Sequence, residues 1–174
     1  VEKIYHGTPS GIDNTVVTYE MPVYFQRDHP IEVLRLPQPF YLIVGNTGIS
    51  SPTAITVSDV RKAWLADRNT YESRFDAIGE IARKARYHIE RGQTEALGPL
   101  LTQNHQLLRQ LGVSSAELDK LVAVALEAGA LGAKMSGGGR GGNMIALVSP
   151  ETEISVAESL LKAGATGTIQ TRIG

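Results

Sequence analysis

The most constraining feature of this sequence is the run at residues 137–142, GGGRGG, in which five of six consecutive positions are glycine. Glycine loses more conformational entropy on folding than any other residue, so such a run indicates repeated positive φ or a close approach of the backbone to another group. Glycine content alone leaves two interpretations open. The loop is either an anion-binding nest of N–H groups beside the positive charge of Arg140, or a flexible hairpin loop.

The run also contains the spacing G-x-G-x-x-G, at Gly137, Gly139 and Gly142. In dinucleotide-binding folds this spacing follows a strand and opens a helix. Here the next segment, residues 144–148, is a short apolar run with strand character that a Ser-Pro pair ends. The loop also lacks the Gly-Lys-Ser/Thr ending of a P-loop. The context therefore predicts a connection between two strands.

The order of predicted elements indicates an α+β fold. Strands are predicted at four segments: 40–46, 131–135, 143–148 and 166–173. Helices are predicted at about 53–91, at 93–111, from Ser114 to Gly129, and from a cap at Ser149 to Gly164. The order β, helical block, β, β, α, β is that of a ferredoxin-like split βαβ sandwich with extra helices inserted in the first crossover. We expect a four-stranded antiparallel sheet with helices on one face.

A domain boundary is predicted near the two prolines of segment 36–39, the best linker candidate in the chain. Residues 1–36 would then end a preceding domain, and residues 37–174 would form a second one. The sequence begins with Val1 and enters a motif-like segment at once. We therefore expect the chain to be the C-terminal part of a longer protein.

Composition excludes several classes of function. A net charge of −1 gives no basic excess for nucleic acid or an anionic membrane surface. The absence of cysteine excludes thiolate metal sites and a disulfide framework, and it fits a cytoplasmic protein. The four histidines show no metal-ligand spacing, so we predict no metal site among these residues. For Asn104 and His105, which interrupt an apolar helix stripe, we expect satisfied hydrogen bonds rather than ligand contact.

Residues 6–14, HGTPSGIDN, contain several strong turn formers. Read from the residues alone, the segment is a solvated loop before a strand. A serine-hydrolase interpretation is weaker still, because Ser10 lacks the G-x-S-x-G elbow.

Three segments together resemble the C-terminal half of the mevalonate kinases, a family in the GHMP superfamily of galactokinase, homoserine kinase, mevalonate kinase and phosphomevalonate kinase. They are HGTPSGIDN at 6–14, IVGNTGISSPT at 43–53 and KMSGGGRGGNMIAL at 134–147. The helix segment NHQLLRQLGVS at 104–114 is also similar to that family. The first segment is the most specific, because HGxPSGxD is typical of mevalonate kinases, whereas the glycine loop is shared across the superfamily.

This resemblance implies ATP-dependent phosphorylation of the 5-hydroxyl of mevalonate, a small-molecule substrate, in isoprenoid precursor synthesis. Asp13 matches the catalytic aspartate, which accepts the hydroxyl proton or orients it beside a lysine. Three residues match substrate-binding positions: His6, Ser10 and Thr53. Six residues would lie against the nucleotide phosphates: Gly137, Gly138, Gly139, Arg140, Gly141 and Gly142. Positioning and hydrogen-bond donors suit phosphoryl transfer, which needs little covalent participation from the protein.

The sequence also departs from the family pattern. The usual loop is closer to GAGGGG, so Gly138 replaces an alanine and Arg140 replaces a glycine. The family's N-terminal half, with its lysine and its PxxxGLGSSA phosphate loop, has no counterpart here. The resemblance implies ATP and Mg²⁺ as cofactors, with the metal ligands mostly in that half. We expect the chain to be inactive alone and to form a homo-oligomer, most simply a dimer.

Three hypotheses remain open at this point. The chain is the C-terminal portion of a mevalonate kinase, part of another GHMP-type small-molecule kinase, or a non-catalytic ferredoxin-like binding module. Residues upstream of Val1 would separate the first two. The HGTPSGIDN string argues against the third, because a bare binding module has no need of it.

Overall fold

A computed structural model of the protein describes residues 21–174. Its strands are β1 (Val23–Tyr24), β2 (Glu32–Val33), β3 (Phe40–Asn46), β4 (Gly132–Ser136), β5 (Asn143–Val148) and β6 (Gly167–Ile173). Its α-helices are α1 (Thr53–Ala66), α2 (Arg68–Ile89), α3 (Leu97–Gln110), α4 (Ala116–Glu127) and α5 (Glu153–Lys162). A single 3-10 turn, Thr94–Ala96, precedes α3. No helix within residues 21–174 is long and apolar enough to cross a bilayer.

The main sheet has four strands in the order β4-β5-β3-β6, and every neighbouring pair is antiparallel. In the central strand β3, Ile43 lies opposite Ala146 of β5 and Gln170 of β6. This is the strand order of the split βαβ sandwich, with α1 to α4 inserted in the first crossover. The predicted α+β, ferredoxin-like fold is therefore confirmed, and the glycine loop joins β4 and β5, the second and third strands of the sheet in chain order, as expected.

One face of the sheet carries the main hydrophobic core. Ile43, Met144 and Ala146 point to this face with every second residue of their strands and are fully buried. They pack against α4 and α5, whose Leu118 and Leu160 are also fully buried. Burial of each such leucine or isoleucine stabilises the fold by about 1.5–3 kcal/mol. This core fixes the positions of β4 and β5, and so of the loop between them.

The expectation that helices pack on only one face is wrong. The opposite face of the sheet presents Leu42, Ile145 and Leu147, and a cavity lined by these residues also has walls from α2 and α3. The buried Ile81 and Leu97 belong to these two helices. The side of α2 that lines this cavity, with Ile78, Ile81, Ala82 and Ala85, is apolar, and so is the second face of the sheet. Packing one on the other therefore removes both from water.

Two predicted helix starts are also wrong, each by only a few residues. Ser115, rather than Ser114, caps α4, and its hydroxyl accepts a hydrogen bond from the first turn of that helix. The hydroxyl of Ser114 instead donates to Asp119 Oδ1 at 2.6 Å. Helix α5 begins at Glu153, after a turn that contains Ser149, rather than directly after that serine. On α5 the core side also differs from the expected one, because Val156 is buried whereas Ile154 and Leu161 are exposed.

The β1–β2 hairpin contacts α2 through Arg86. Two guanidinium nitrogens of Arg86 donate to the Glu32 carboxylate, at 3.0 and 2.7 Å, and the guanidinium lies 4.8 Å from the centre of the Tyr24 ring. Residues 21–36 are thus in contact with the helical block. The division of the chain into residues 1–36 and 37–174 stays a prediction.

A close backbone contact between α3 and β4 gives a test of the packing. A Cβ atom at Gly132 would overlap the carbonyl oxygen of Gly98. We expect Gly132→Ala to lower the free energy of unfolding by about 1–3 kcal/mol, since the helix or the strand must shift. Gly167→Ala is the control, because a Cβ there would meet nothing within 4 Å. Urea unfolding of both variants measures the difference, and equal losses would contradict the contact.

Candidate functional site

The glycine loop between β4 and β5 has a backbone that other residues rarely adopt. Positive φ angles occur at Gly137 (+87°), Gly139 (+83°), Gly141 (+143°) and Gly142 (+74°). Arg140 has a φ of +57°, which is uncommon for a residue with a Cβ atom. The glycine run therefore serves the first purpose proposed from the sequence, a backbone that needs the left-handed region repeatedly.

Neighbouring loops hold this conformation in place. The N–H of Arg140 donates to the carbonyl oxygen of Val113 at 2.9 Å, and that of Gly142 donates to Ile49 at 2.7 Å. The carbonyl oxygen of Gly142 accepts from both the N–H and the hydroxyl of Thr47, at 2.9 and 3.0 Å. Four hydrogen bonds to two separate segments do not fit a flexible hairpin, so the loop is a fixed structure.

Close approach of neighbouring atoms to the loop backbone is a second reason for glycine at these positions. A Cβ atom at Gly138 would overlap the hydroxyl oxygen of Thr53, and one at Gly139 would overlap the carbonyl oxygen of Val113. At Gly141 a Cβ would lie 2.5 Å from a backbone oxygen of the β3–α1 connection. The structure thus brings together the glycine loop and Thr53, which the sequence placed at the site from two distant segments.

The contact between the glycine loop and Thr53 lies at the start of helix α1. Thr53 is the first residue of α1, and Pro52, the residue before it, provides no side-chain hydrogen bond to the helix start. The N-terminus of a helix carries a partial positive charge and unpaired N–H groups. The amides of Arg140 and Gly142 already donate to Val113 and Ile49, so those of residues 137–139 and 141 are the candidates for binding an anion. A phosphate is the kind of group that such an arrangement accepts.

The guanidinium of Arg140 reaches from the loop to the body of the domain. Its Nη1 donates to Asp59 Oδ2 at 2.6 Å, and its Nε donates to the carbonyl oxygen of Gly112 at 3.3 Å. The hydrogen bond from Arg140 holds the pKa of the Asp59 carboxyl below its ordinary value. The positive charge of Arg140, which the sequence suggested for phosphate binding, is therefore paired with the Asp59 carboxylate of α1. A contact of Arg140 with nucleotide stays a prediction.

His105 connects α3 to the outer edge of the sheet. Its Nδ1 accepts a hydrogen bond from the N–H of Met135, in the edge strand β4, at 3.2 Å. Its Nε2 lies 3.1 Å from Asp119 Oδ1 but makes no hydrogen bond within the described residues. Asp119 Oδ2 lies 2.8 Å from Nε of Arg109. The imidazole thus satisfies a backbone donor next to the glycine loop, in agreement with the structural role that we expected.

Stability should depend on pH through this histidine. Burial is the main cause that holds the pKa of His105 below its ordinary value, and the Asp119 carboxylate opposes it only in part. Since the folded pKa lies below the unfolded one of about 6.5, His105 stabilises the protein fully above that pH. This stabilisation is lost as the pH falls from about 6.5 towards the folded pKa. Each unit of difference between the two pKa values corresponds to about 1.4 kcal/mol.

Urea unfolding between about pH 5 and pH 7.5 tests this expectation. The free energy of unfolding of the wild type should fall more steeply at the acid end than that of His105→Gln, which cannot titrate. His29→Gln is the control, because the His29 ring bonds only an exposed neighbouring carbonyl, of Arg27. If the wild type and His105→Gln showed parallel curves, the assignment of the buried neutral imidazole would be wrong.

Other predicted site residues cannot be placed. Asp13, His6 and Ser10 lie outside the described residues. Within residues 21–174 there is no group of three or more His, Asp or Glu side chains that could hold a metal ion. These residues therefore do not by themselves fit Mg²⁺. Two clefts lie against α2 and α3, and the glycine loop lines neither of them.

Asp59, Ile49 and Val113 support the loop, and sequence reasoning missed them. Asp59 lies 81 residues before its partner Arg140, and the other two contribute only backbone oxygens. An arginine within a glycine run was the single signal available, since its charge indicates a partner without identifying one.

Comparison with known proteins agrees with this geometry. The family described as GHMP kinases C terminal matches residues 72–166 of the chain. The mevalonate kinase of Thermococcus sibiricus is 37% identical over 171 residues, which are 94% of this chain and 50% of that protein. The mevalonate kinase of Aeropyrum pernix is 38% identical over 149 residues, 84% of this chain and 45% of its own length.

Solved structures agree as well. The crystal structure of L. major mevalonate kinase in complex with R-mevalonate superposes with a TM-score of 0.92 at 35% identity, over 99% of this chain and 55% of that one. Mevalonate kinase from Staphylococcus aureus MRSA252 gives a TM-score of 0.71 at 32% identity, over 98% and 54%. The chain thus spans about half the length of the relatives that it matches. The resemblance seen in the sequence, to the C-terminal half of such kinases, is confirmed.

Proposed function

Because this chain belongs to the GHMP kinase family through its C-terminal domain, we propose that the full-length protein transfers a phosphoryl group from ATP to the 5-hydroxyl of mevalonate. The observation that carries the proposal is the glycine loop fixed against Thr53 at the start of α1. Support for mevalonate as the substrate comes from the HGTPSGIDN segment and from the similarity to mevalonate kinases along 94% of the chain.

In the proposed reaction, the HGTPSGIDN segment and the glycine loop have separate tasks. Asp13 accepts the proton of the substrate hydroxyl, or orients that hydroxyl, as its oxygen attacks the γ-phosphorus of ATP. The bond between that phosphorus and the bridging oxygen breaks, and ADP leaves. The amides of residues 137–139 and 141, together with the start of α1, donate to phosphate oxygens and hold the transferring group in line. His6, Ser10 and Thr53 orient mevalonate.

Mg²⁺, when bound, would neutralise charge on the phosphates. As the family resemblance implies, most of its ligands would lie in the proposed N-terminal half, and residues 21–174 contain no cluster of candidate ligands. We also propose that residues 137–142 bind the nucleotide, that the protein is cytoplasmic and that it forms a homodimer.

A substrate panel tests the proposed reaction. ADP release by the full-length protein is measured with mevalonate, phosphomevalonate, homoserine and galactose at equal concentrations. We expect kcat/KM for mevalonate to exceed that for each other acceptor by about 10²-fold or more, since discrimination of this size follows from a few polar contacts. A higher value for any of the other three would assign the protein to another branch of the superfamily.

A further inference from the structure

A second concave site lies between the helices α2 and α3 and the second face of the sheet. Its volume is about 350 Å³, which falls within the range of about 300–1,000 Å³ typical of small-molecule sites. The walls are almost entirely apolar, with Leu42 and Ile145 from the sheet and Ile81 and Leu100 from the helices. The glycine loop contributes no residue to it.

Among the described residues that line this cavity, Lys134 is the one with a charged side chain. It belongs to β4, where its neighbours Ala133 and Met135 are buried in the main core on the opposite face. Burial holds the pKa of the Lys134 ammonium below its ordinary value. Within residues 21–174, no carboxylate forms an ion pair with it and no acceptor takes its hydrogen bonds. The Lys134 side chain is half-buried, and an anion bound in the cavity would pair with its ammonium more strongly than in bulk water.

We propose that this cavity binds a small amphipathic anion, a molecule with one aliphatic chain and a terminal carboxylate. The chain lies against the apolar walls, and the carboxylate pairs with Lys134. The side-chain amide of Asn104, also in the lining, is the additional donor. A monoanion fits better than a phosphate group, because a single ammonium would leave the second charge of a phosphate unpaired. The described residues of the proposed phosphoryl-transfer site, the glycine loop and Thr53, do not line this cavity.

Calorimetric titration of the full-length protein with decanoate tests the proposal. We expect saturable binding of decanoate, binding at least about tenfold weaker for decanol, and none for decylammonium, since only the carboxylate complements Lys134. Equal affinity for decanoate and decanol, saturable binding of decylammonium, or no saturable binding of decanoate would overturn the proposal.

Variants then locate the site. Lys134→Met keeps a side chain of similar length but removes the charge, and it should weaken decanoate binding at least about tenfold. Lys134→Arg retains the charge, so its affinity for decanoate should differ from that of the wild type by less than about tenfold. Lys120→Met, on the exposed side of α4, is the matched control and should bind like the wild type. Ala85→Phe, which fills the cavity from α2, should abolish binding. Wild-type affinity in folded Lys134→Met or Ala85→Phe protein, shown by an unchanged unfolding transition, would place the ligand elsewhere and overturn the proposal.

Discussion

Asp13→Asn in the full-length protein should lower kcat by about 10²–10⁴-fold, the range for loss of a positioned acid or base. The KM values for ATP and mevalonate should change little. Asparagine has nearly the shape of aspartate but cannot accept the hydroxyl proton, and an interaction made only in the transition state affects kcat. Steady-state rates of ADP release, with each substrate varied in turn, measure the two effects separately.

A second aspartate provides the control for this experiment. Asp28 lies in an exposed turn with a φ of +62°, a conformation that asparagine also adopts readily. Asp28→Asn should therefore leave kcat unchanged. An Asp13→Asn enzyme with normal kcat and a raised KM for mevalonate would show that Asp13 binds substrate without taking part in proton transfer.

Gly139→Val should raise the KM for ATP by about 10²-fold and that for mevalonate much less, because losing about two hydrogen bonds to a charged phosphate, each worth about 1.5 kcal/mol, weakens binding by this factor. A side chain at residue 139 collides with the carbonyl oxygen of Val113. The loop must then move, and with it the amides that we propose to bind phosphate.

Gly137→Val separates this collision from the cost of positive φ. The φ angles of Gly137 and Gly139 are +87° and +83°, yet a Cβ at Gly137 would meet nothing within 4 Å. We expect a smaller rise in the KM for ATP in Gly137→Val than in Gly139→Val. Equal effects of Gly139→Val on the two substrates, or no effect on either, would count against phosphate binding by this loop.

Local sequence patterns predicted the elements of this fold well. The strands β3 and β5 coincide with the predicted segments 40–46 and 143–148, because a continuous apolar run bounded by turn residues is itself the signal of a buried strand. Helix starts were predicted less accurately, since α4 is predicted to begin at Ser114, whose neighbour Ser115 is the same residue type. Only the packed structure shows that the second one caps α4 and the first one bonds Asp119.

Contacts between distant segments could not be predicted from the sequence. The spacing of apolar residues along α2 indicated that one side of this helix is buried, but it did not identify the second face of the sheet as its packing partner. Likewise, the glycine run indicated a special backbone, whereas the carbonyl oxygens of Ile49 and Val113 that hold it carry no sequence signal. The substrate-binding role of Thr53 came from family resemblance and stays a proposal, whereas its close contact with Gly138 appears only in the structure.

The central claim is that this chain is one part of a kinase whose active site needs a second part. The most direct measurement compares ADP release with ATP and mevalonate by the purified 174-residue chain and by the full-length protein. We predict turnover by the full-length protein, at the rate of about 1–100 s⁻¹ that is typical of kinases, and none by the 174-residue chain. Turnover by the 174-residue chain at a comparable rate, or none by the full-length protein, would contradict the account.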